Sequence, residues 1–453
     1  MRLKSFIAFL FIISNIFAQT QEPNTLQPID ARYKTDILLI VAHPDDETAI
    51  SSYLAKVIFD EGKKVSIIYT NRGEGGGNSA GNEQSTAMGL MREIESRKGV
   101  TKFGIENVWF LDGRDTPGQD VFASLQRLNH GASLEKVVRL VRLTRPEIII
   151  TWLPVYCAGE NHGDHQASGV IATEAFDLAG DPSAFPTQIT FPREPKDINN
   201  IGEGMNPWQT KKLYYFSDRE KGFPAIGPSF NVSDISSTKK ESYVKLAADL
   251  MTTYLTQADV SEEAIKAKGS GDYLKLENWL KKFHLIFGKA VIQCNPKGDV
   301  FEGITEKPTE FVPVKRKDVP KENGVTISLG GSFQYYKNFS RAHDLPEFQS
   351  MIGPEVMIAA GSYFHIPLIL GNNSESKVTV KLQSKIPEGW HEYSGTGEYL
   401  VEPNQQFPVQ TFFDATSEIN DKAQEIVLEA LVGGKKIGSV TIKVYLTEWN
   451  LPQ

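Results

Sequence analysis

Cysteine and long apolar stretches are both scarce in this 453-residue chain. Cys157 and Cys294 are the only cysteines, so more than one intramolecular disulfide bond is excluded, and whether these two meet is left open. The apolar run at residues 6–17 has about half of the roughly 20 residues that a membrane-spanning helix needs, and no later run approaches that length. We therefore predict no membrane span in the mature protein.

The same apolar run has the features of a secretion signal. Arg2 and Lys4 precede it, and Ala18 followed by Gln19 offers a small-residue cleavage point. We predict a signal peptide at residues 1–18 and a secreted or periplasmic mature protein, with an uncleaved membrane anchor as the alternative. No cysteine follows the run, so a bacterial lipoprotein anchor is not indicated.

Basic residues are outnumbered, with 48 Lys and Arg against 56 Asp and Glu and a net charge of −8. This balance disfavours nucleic acid as a partner, because such binding depends on clustered Lys and Arg. Glycine motifs for nucleotides are also lacking. No G-x-G-x-x-G follows the first apolar strand, and the glycines between residues 73 and 81 lack the G-K-[ST] ending of a P-loop, so we interpret them as a mobile rim loop.

Apolar runs in the first two thirds of the chain alternate with helical segments. A chain of 453 residues exceeds what one hydrophobic core usually organises, so we expect two folded units. Continuous apolar runs are typical of strands buried on both faces of a parallel sheet, and here they occupy residues 36–42, 64–70, 107–111 and 147–152. The fold class predicted for residues 32–304 is α/β, a Rossmann-like three-layer domain with a parallel sheet.

The spacing of apolar residues changes near the C-terminus. Residues 305–324 combine three prolines with many charges and are predicted to be a linker, so the first unit is expected to fold independently. Beyond it, apolar and polar residues alternate, for example at 378–383 and 440–446, with Gly433 and Gly434 as a hairpin turn. We predict a β-sandwich accessory domain at residues 325–449, and both a structural and a glycan-binding role are open.

Two polar clusters follow predicted strands. Ala42-His43-Pro44-Asp45-Asp46-Glu47 comes directly after the first strand, and His162-Gly163-Asp164-His165 follows the strand that ends at Trp152. Ligand sites in open α/β sheets lie beyond the carboxyl ends of the strands. Imidazoles and carboxylates without cysteine suit a catalytic zinc, although iron, cobalt or manganese fit similar ligands. The structural alternatives are a helix cap at Asp46 and a solvated helix start at Asp164.

Together these motifs resemble the PIG-L or LmbE-like de-N-acetylases, zinc enzymes that remove acyl groups from amino sugars. The resemblance covers roughly residues 32–220 and is supported by residues 70–75 and 92–95. It implies that His43, Asp46 and His165 bind Zn²⁺ and that Asp45 is the general base. A metal-bound water is acidified, and a neighbouring carboxylate can take its proton.

The resemblance also implies that His162 stabilises the oxyanion and protonates the leaving amine, with Asp164 orienting its ring. Arg72 is a candidate substrate contact, with an exposed charge as the alternative. The predicted function is a secreted zinc-dependent N-deacetylase, a hydrolase of linear amide C–N bonds that acts on N-acetylglucosamine or another N-acetylated amino sugar or glycan. The alternatives are an amidase acting on a non-sugar substrate and a catalytically inactive glycan-binding protein. Asp45 and His162, which simple binding does not need, favour the enzyme.

Overall fold

The computed structural model describes residues 30–155, 162–190, 203–217, 226–318, 322–346, 348, 353–419 and 422–448. The predicted signal peptide and Cys157 lie outside these ranges. Within them, no helix combines the length and the apolar character required to cross a lipid bilayer.

A six-stranded sheet organises the N-terminal part. Its strands are β1 (Ile37–Val41), β2 (Val65–Tyr69), β3 (Val108–Phe110), β4 (Ile148–Trp152), β5 (Lys212–Phe216) and β6 (Ile286–Ala290). They lie in the order β3-β2-β1-β4-β5-β6. The first five strands are parallel, as predicted, whereas β6 pairs antiparallel with β5. The predicted parallel sheet thus carries one antiparallel edge strand that the sequence analysis did not predict, and a strand with one neighbour can add in either direction.

Helices cover both faces of this sheet. They are α1 (Ser51–Ala55), α2 (Thr86–Thr101), α3 (Val121–Arg127), α4 (His130–Thr144), α5 (Gly163–Leu178), α6 (Tyr243–Met251), α7 (Ala258–Ser270) and α8 (Leu274–Leu280). Alternate residues of β1 enter two different cores. Leu39 packs in one core and Leu38 in the other, and both side chains are fully buried. This double burial explains the continuous apolar run.

The C-terminal part consists of two further sheets. Its strands are β7 (Val325–Leu329), β8 (Glu355–Ala359), β9 (Tyr363–Asn372), β10 (Val378–Lys385), β11 (His391–Ser394), β12 (Gly397–Val401), β13 (Gln405–Asp414), β14 (Gln424–Val432) and β15 (Lys435–Thr447). One sheet has the order β12-β10-β14-β15-β8 and the other β11-β13-β9-β7. All pairs are antiparallel except β15 with β8.

Both C-terminal sheets contribute to one apolar core, in which Leu368 of β9 and Leu382 of β10 take part. Gly433 and Gly434 connect β14 to β15 with φ angles of 57° and 79°. Such positive φ angles suit a tight hairpin turn, which is why glycine is favoured at both positions. The predicted change from an α/β region to a β-rich region is confirmed.

One helix, α9 (Gly331–Ala342), joins the two parts. It follows β7, and Phe333 near its start packs against the C-terminal core. Tyr336 and Phe339 are instead buried in a core of the α/β part, and Phe348 beyond the helix places its ring 5.7 Å from that of Tyr215 on β5. Tyr336, Phe339 and Phe348 therefore pack against the first unit, although they lie within the range predicted for the second.

Candidate metal centre and active-site cavity

The two polar clusters meet where the strand order of the first sheet reverses. β1 lies beside both β2 and β4, and its carboxyl end leads to His43, while β4 leads to the helix that carries His165. This switch point is the usual position of a ligand site in an open α/β sheet. The ring centroid of His43 lies 5.0 Å from that of His162 and 5.1 Å from that of His165. Residues more than one hundred positions apart thus converge.

His43, Asp46 and His165 form a compact group of possible metal ligands. His165 Nε2 lies 3.2 Å from His43 Nδ1 and 3.2 Å from Asp46 Oδ1, and His43 Nδ1 lies 3.6 Å from the same oxygen. Ligand atoms bonded at about 2.0–2.1 Å to a tetrahedral zinc ion are roughly 3.3 Å apart. The residues present therefore fit a divalent metal ion such as zinc.

The second carboxylate oxygen of Asp46 is fully engaged by the protein. Its Oδ2 accepts hydrogen bonds from the amides of Ala42 (2.8 Å) and His43 (3.0 Å) and from the indole of Trp152 (2.7 Å). Oδ1 is consequently directed at the two imidazoles. Burial opposes ionisation, but the interactions with His165 and then His43 outweigh it and hold the pKa of Asp46 well below its usual value. Because these donors precede Asp46 in the chain or lie on β4, the Asp46 side chain does not cap the following helical turn.

Asp45 lies in the same cavity with an unusual backbone. Its φ angle is 126°, a value that residues other than glycine rarely adopt, and its amide donates to Glu47 Oε2 over 3.3 Å. Burial, followed by the negative charges of Asp46 and Asp259, raises the pKa of its carboxyl well above the usual value. A carboxylate with a raised pKa is a more effective proton acceptor near neutral pH.

His162 is the N-cap residue of α5. Its Nδ1 accepts a hydrogen bond from the Asp164 amide over 3.2 Å, and this bond assigns the ring proton to Nε2. Burial, together with the nearby His43 and His165, lowers the pKa of His162 to about 4. A neutral ring with a fixed N–H suits hydrogen bonding to an oxyanion better than delivery of a proton.

Asp164 is completely buried, which excludes the alternative of a solvated helix start. Its Oδ2 accepts hydrogen bonds from the Asn71 side chain (2.9 Å) and the Thr116 amide (3.0 Å) and lies 3.5 Å from His43 Nε2. These contacts place it beside a candidate metal ligand. Its orientation of the His162 ring stays a prediction.

The cavity has a volume of about 620 Å³ and contains all of the predicted site residues except Asp164 and Arg72. Arg72 turns away. Its guanidinium donates to Glu93 Oε2 (2.9 Å) and to the Leu111 carbonyl (3.0 Å) and lies over the Phe110 ring. The structure does not bring Arg72 into the site, and its contact with substrate stays a prediction. The glycine-rich segment does line the cavity, through Gly75 to Gly77.

The sequence analysis did not assign four charged residues that line the cavity, Arg92, Asp115, Asp259 and Lys282. Asp115, five residues after β3, has its Oδ1 3.3 Å from His43 Nε2 and accepts a hydrogen bond from the Gly75 amide (3.0 Å). Because Asp115 lies beyond the carboxyl end of a strand, its position could have identified it from the sequence as a candidate site residue. Arg92 of α2 lines the cavity and donates to the Gly77 carbonyl over 2.8 Å. Its position depends on how the glycine-rich segment folds over α2, which the sequence does not reveal.

The strand order and the site at its reversal define a doubly wound α/β domain with a candidate metal centre. Residues 38–176 match the PIG-L family model, described as GlcNAc-PI de-N-acetylase. The chain therefore contains a PIG-L domain, and the resemblance of the sequence motifs is confirmed.

Similar proteins include named deacetylases. The 1D-myo-inositol 2-acetamido-2-deoxy-alpha-D-glucopyranoside deacetylase 1 of Frankia casuarinae is 25% identical over 244 residues, which cover 50% of this chain and 74% of the relative. The corresponding deacetylase of Geodermatophilus obscurus is 28% identical over 165 residues, 33% of this chain and 55% of the relative. The structure of N,N'-diacetylchitobiose deacetylase from Pyrococcus horikoshii is 17% identical with a TM-score of 0.35, covering 58% of this chain and 87% of that one.

Proposed function

We propose that this protein is a metal-dependent N-deacetylase that hydrolyses the N-acetyl group of an N-acetylglucosamine-containing sugar or conjugate. One observation carries the proposal: the candidate ligands His43, Asp46 and His165 share a cavity with Asp45 and His162. The names of the relatives, which specify a 2-acetamido-2-deoxyglucopyranoside, support the substrate class.

His43, Asp46 and His165 would hold the ion, and zinc there would supply Lewis-acid polarisation of the amide carbonyl and acidification of a water molecule. Asp45 accepts a proton from the attacking water. Its raised pKa also allows the protonated carboxyl to return that proton to the nitrogen as the C–N bond breaks. His162 donates its Nε2–H to the oxyanion. The products are acetate and a free amine, so one water molecule is consumed.

The walls of the cavity favour a hydroxyl-rich substrate. The residues that line the cavity include four further charged side chains that can form hydrogen bonds and a further aromatic ring. The charged residues are Arg92, Asp115, Asp259 and Lys282, and the aromatic residue is Trp279. A few placed polar groups beside an aromatic surface are a common arrangement for orienting a small ligand. A sugar therefore fits this wall better than an apolar amide.

Three finer points belong to the same proposal. Zinc is the proposed ion, because two imidazoles and a carboxylate with an open position are a typical catalytic zinc set. Export is proposed from the basic start and apolar run within residues 1–18. We also interpret the two C-terminal sheets with their common core as a β-sandwich.

The test is acetate release by the zinc-loaded full chain from N-acetylglucosamine, N,N'-diacetylchitobiose and an N-acetylated amino acid, with metal content measured on the same preparation. We expect release from the sugars, loss of activity with a chelator and recovery with added zinc. Release from the amino acid alone would indicate a non-sugar amidase, and a zinc-loaded protein that releases no acetate would favour the binding-protein alternative. N-terminal sequencing of the protein from its own cells tests export.

A further inference from the structure

Exposed aromatic side chains are concentrated on one face of the four-stranded C-terminal sheet. Among the described residues, only Phe122, Tyr363 and Tyr393 are large aromatic side chains exposed to solvent. Tyr363 is 64% exposed and Tyr393 is 50% exposed, and their ring centroids are 5.9 Å apart. Two of the three thus lie side by side, although β9 and β11 are not neighbours in the sheet.

These two tyrosines belong to a continuous group of five rings on β9, β13 and β11, here called the aromatic patch: Tyr363, His365, His391, Tyr393 and Phe412. Phe412 is at its centre. The His365 ring stacks on it at 4.3 Å, and the rings of Tyr363 and Tyr393 lie 5.3 and 5.2 Å away. His391 extends the patch, with its ring 4.6 Å from that of Tyr393.

The patch is not part of the hydrophobic core. Successive side chains of a strand point to opposite faces of a sheet. Ile366 and Phe413, which alternate with the patch residues along β9 and β13, are fully buried in the core between the two sheets. The patch rings occupy the opposite face, where four of the five are exposed and Phe412 is half-buried. A contiguous exposed patch of this kind typically marks an interaction site.

The lack of basic side chains among the described residues of this face restricts the class of molecule that it can bind. On β9, β11 and β13, the other described side chains on the patch side include Gln406, Gln410 and Asp414, and none is Lys or Arg. Nucleic acids and anionic lipid surfaces are bound mainly through Lys and Arg, so neither matches this face. Asp414 is paired in register with both Tyr363 and His391, which places one carboxylate among the rings.

On the patch side of β9, β11 and β13, aromatic faces and hydrogen-bonding groups are therefore interspersed, and the described side chains there include no lysine or arginine. Phenol hydroxyls, imidazoles, amides and one carboxylate supply both donors and acceptors. A sugar ring has the complementary character, with an apolar C–H face and hydroxyl groups around its edge. We propose that the aromatic patch binds a neutral polysaccharide chain. This site lies on a different sheet from the cavity, and its binding does not depend on the proposed hydrolysis.

The proposal is tested by native electrophoresis of the full chain in gels containing hydroxyethyl cellulose, glycol chitin or xylan. We expect at least one polymer to retard the protein. Tyr363→Ala combined with Tyr393→Ala should weaken the retardation about tenfold or more, because each aromatic contact contributes roughly two- to tenfold. The matched control is Leu400→Ala combined with Ile437→Ala, which removes two exposed apolar side chains from the other sheet and should leave retardation unchanged.

Several results would overturn the proposal. One is that none of the three polymers retards the protein. Another is that the tyrosine and control variants weaken retardation equally, and a third is that the protein binds phosphatidylserine vesicles and not the polymers. A wild-type dimer that the tyrosine substitutions dissociate, without polymer binding, would assign the patch to a second copy of the chain. Melting temperatures establish that each variant is folded, and Phe412→Leu, which keeps an apolar side chain at the patch centre, provides an independent variant with the same expected loss. Acetate release from a monosaccharide is also measured on the tyrosine variant. This readout tests the proposed hydrolysis and not polymer binding by the aromatic patch, so failures of the two proposals are distinguishable.

Discussion

The hydroxyl of Tyr336 on α9 donates a hydrogen bond to the side-chain Oε1 of Gln166 on α5. Gln166 directly follows the candidate ligand His165, and both partners of the bond are buried. The side-chain Nε2 of Gln166 in turn donates to the Gln119 carbonyl over 3.2 Å. Helix α9 therefore supports the start of the helix that carries two imidazoles of the candidate site.

Tyr336→Phe should lower the free energy of unfolding. The substitution leaves the buried Gln166 oxygen without this donor, and such a loss typically costs about 1–3 kcal/mol. Tyr335→Phe is the matched control, because Tyr335 is only half-buried and its ring, which contacts Phe122, is retained. Urea titration of both variants measures the difference. Equal stability of the two variants would mean that the bond to Gln166 contributes nothing.

Substitutions of the adjacent Asp45 and Asp46 should have different effects. Asp46→Ala removes one of the three candidate protein ligands, so we expect a protein poor in zinc and therefore inactive. Asp45→Asn should retain near-normal zinc and lose the proton acceptor, a role worth about 10²- to 10⁴-fold in rate. Metal analysis and turnover on the purified variants test this assignment. Equal zinc loss in both, or full activity of Asp45→Asn, would contradict it.

Trp152→Phe should weaken zinc binding. The indole donates to Asp46 Oδ2 over 2.7 Å and stacks on His165 with a centroid separation of 4.0 Å. Phenylalanine keeps an aromatic ring but not the donor, and loss of a partner that orients a ligand typically lowers metal affinity about 10- to 100-fold. Trp208→Phe is the control, because that indole donates to the Pro146 carbonyl over an equal 2.7 Å but outside the cavity. Competition with a zinc chelator compares them, and equal affinities would refute the orienting role.

Asp60→Asn should reduce stability in a pH-dependent manner. Burial raises the pKa of Asp60, but hydrogen bonds from Tyr243, Ser236 and Thr238 outweigh it and lower that pKa well below its usual value. A carboxyl whose pKa is lower in the folded than in the unfolded state stabilises the fold at pH values above its unfolded pKa of about 3.9. This contribution is lost as the pH falls below that value.

At pH 7 we expect the Asp60→Asn variant to be about 1 kcal/mol less stable than the wild type, since Asp60 is partly exposed. The difference should shrink below about pH 4. Glu241→Gln, which changes a nearby exposed carboxylate, should show neither effect. Melting curves from pH 3 to 7 provide the measurement. A difference that grows on acidification would have the wrong sign.

The parts of the site that follow β1 and β4 could be predicted from the sequence because local patterns determine them. A continuous apolar run identifies each strand, and the next polar residues must lie at its carboxyl end. Arg72 and Arg92 could not be ranked in this way, since each is near the site and only the packing of α2 determines which guanidinium enters the cavity. The docking of α9 was equally inaccessible, because an amphipathic helix does not specify which of two cores accepts its buried face.

Helix α9 also changes what the proline-containing segment after residue 304 can be expected to do. The chain leaves β7 of the C-terminal sheet, buries Tyr336 and Phe339 in the α/β core, and then returns to the C-terminal sheets at β8. The covalent connection is therefore not the main tether between the two parts. Proteolysis between residues 305 and 318 should therefore leave two fragments that copurify. Replacing the C-terminal part by another domain at that segment would remove Tyr336 and Phe339 and expose the apolar surface of the α/β core that they cover.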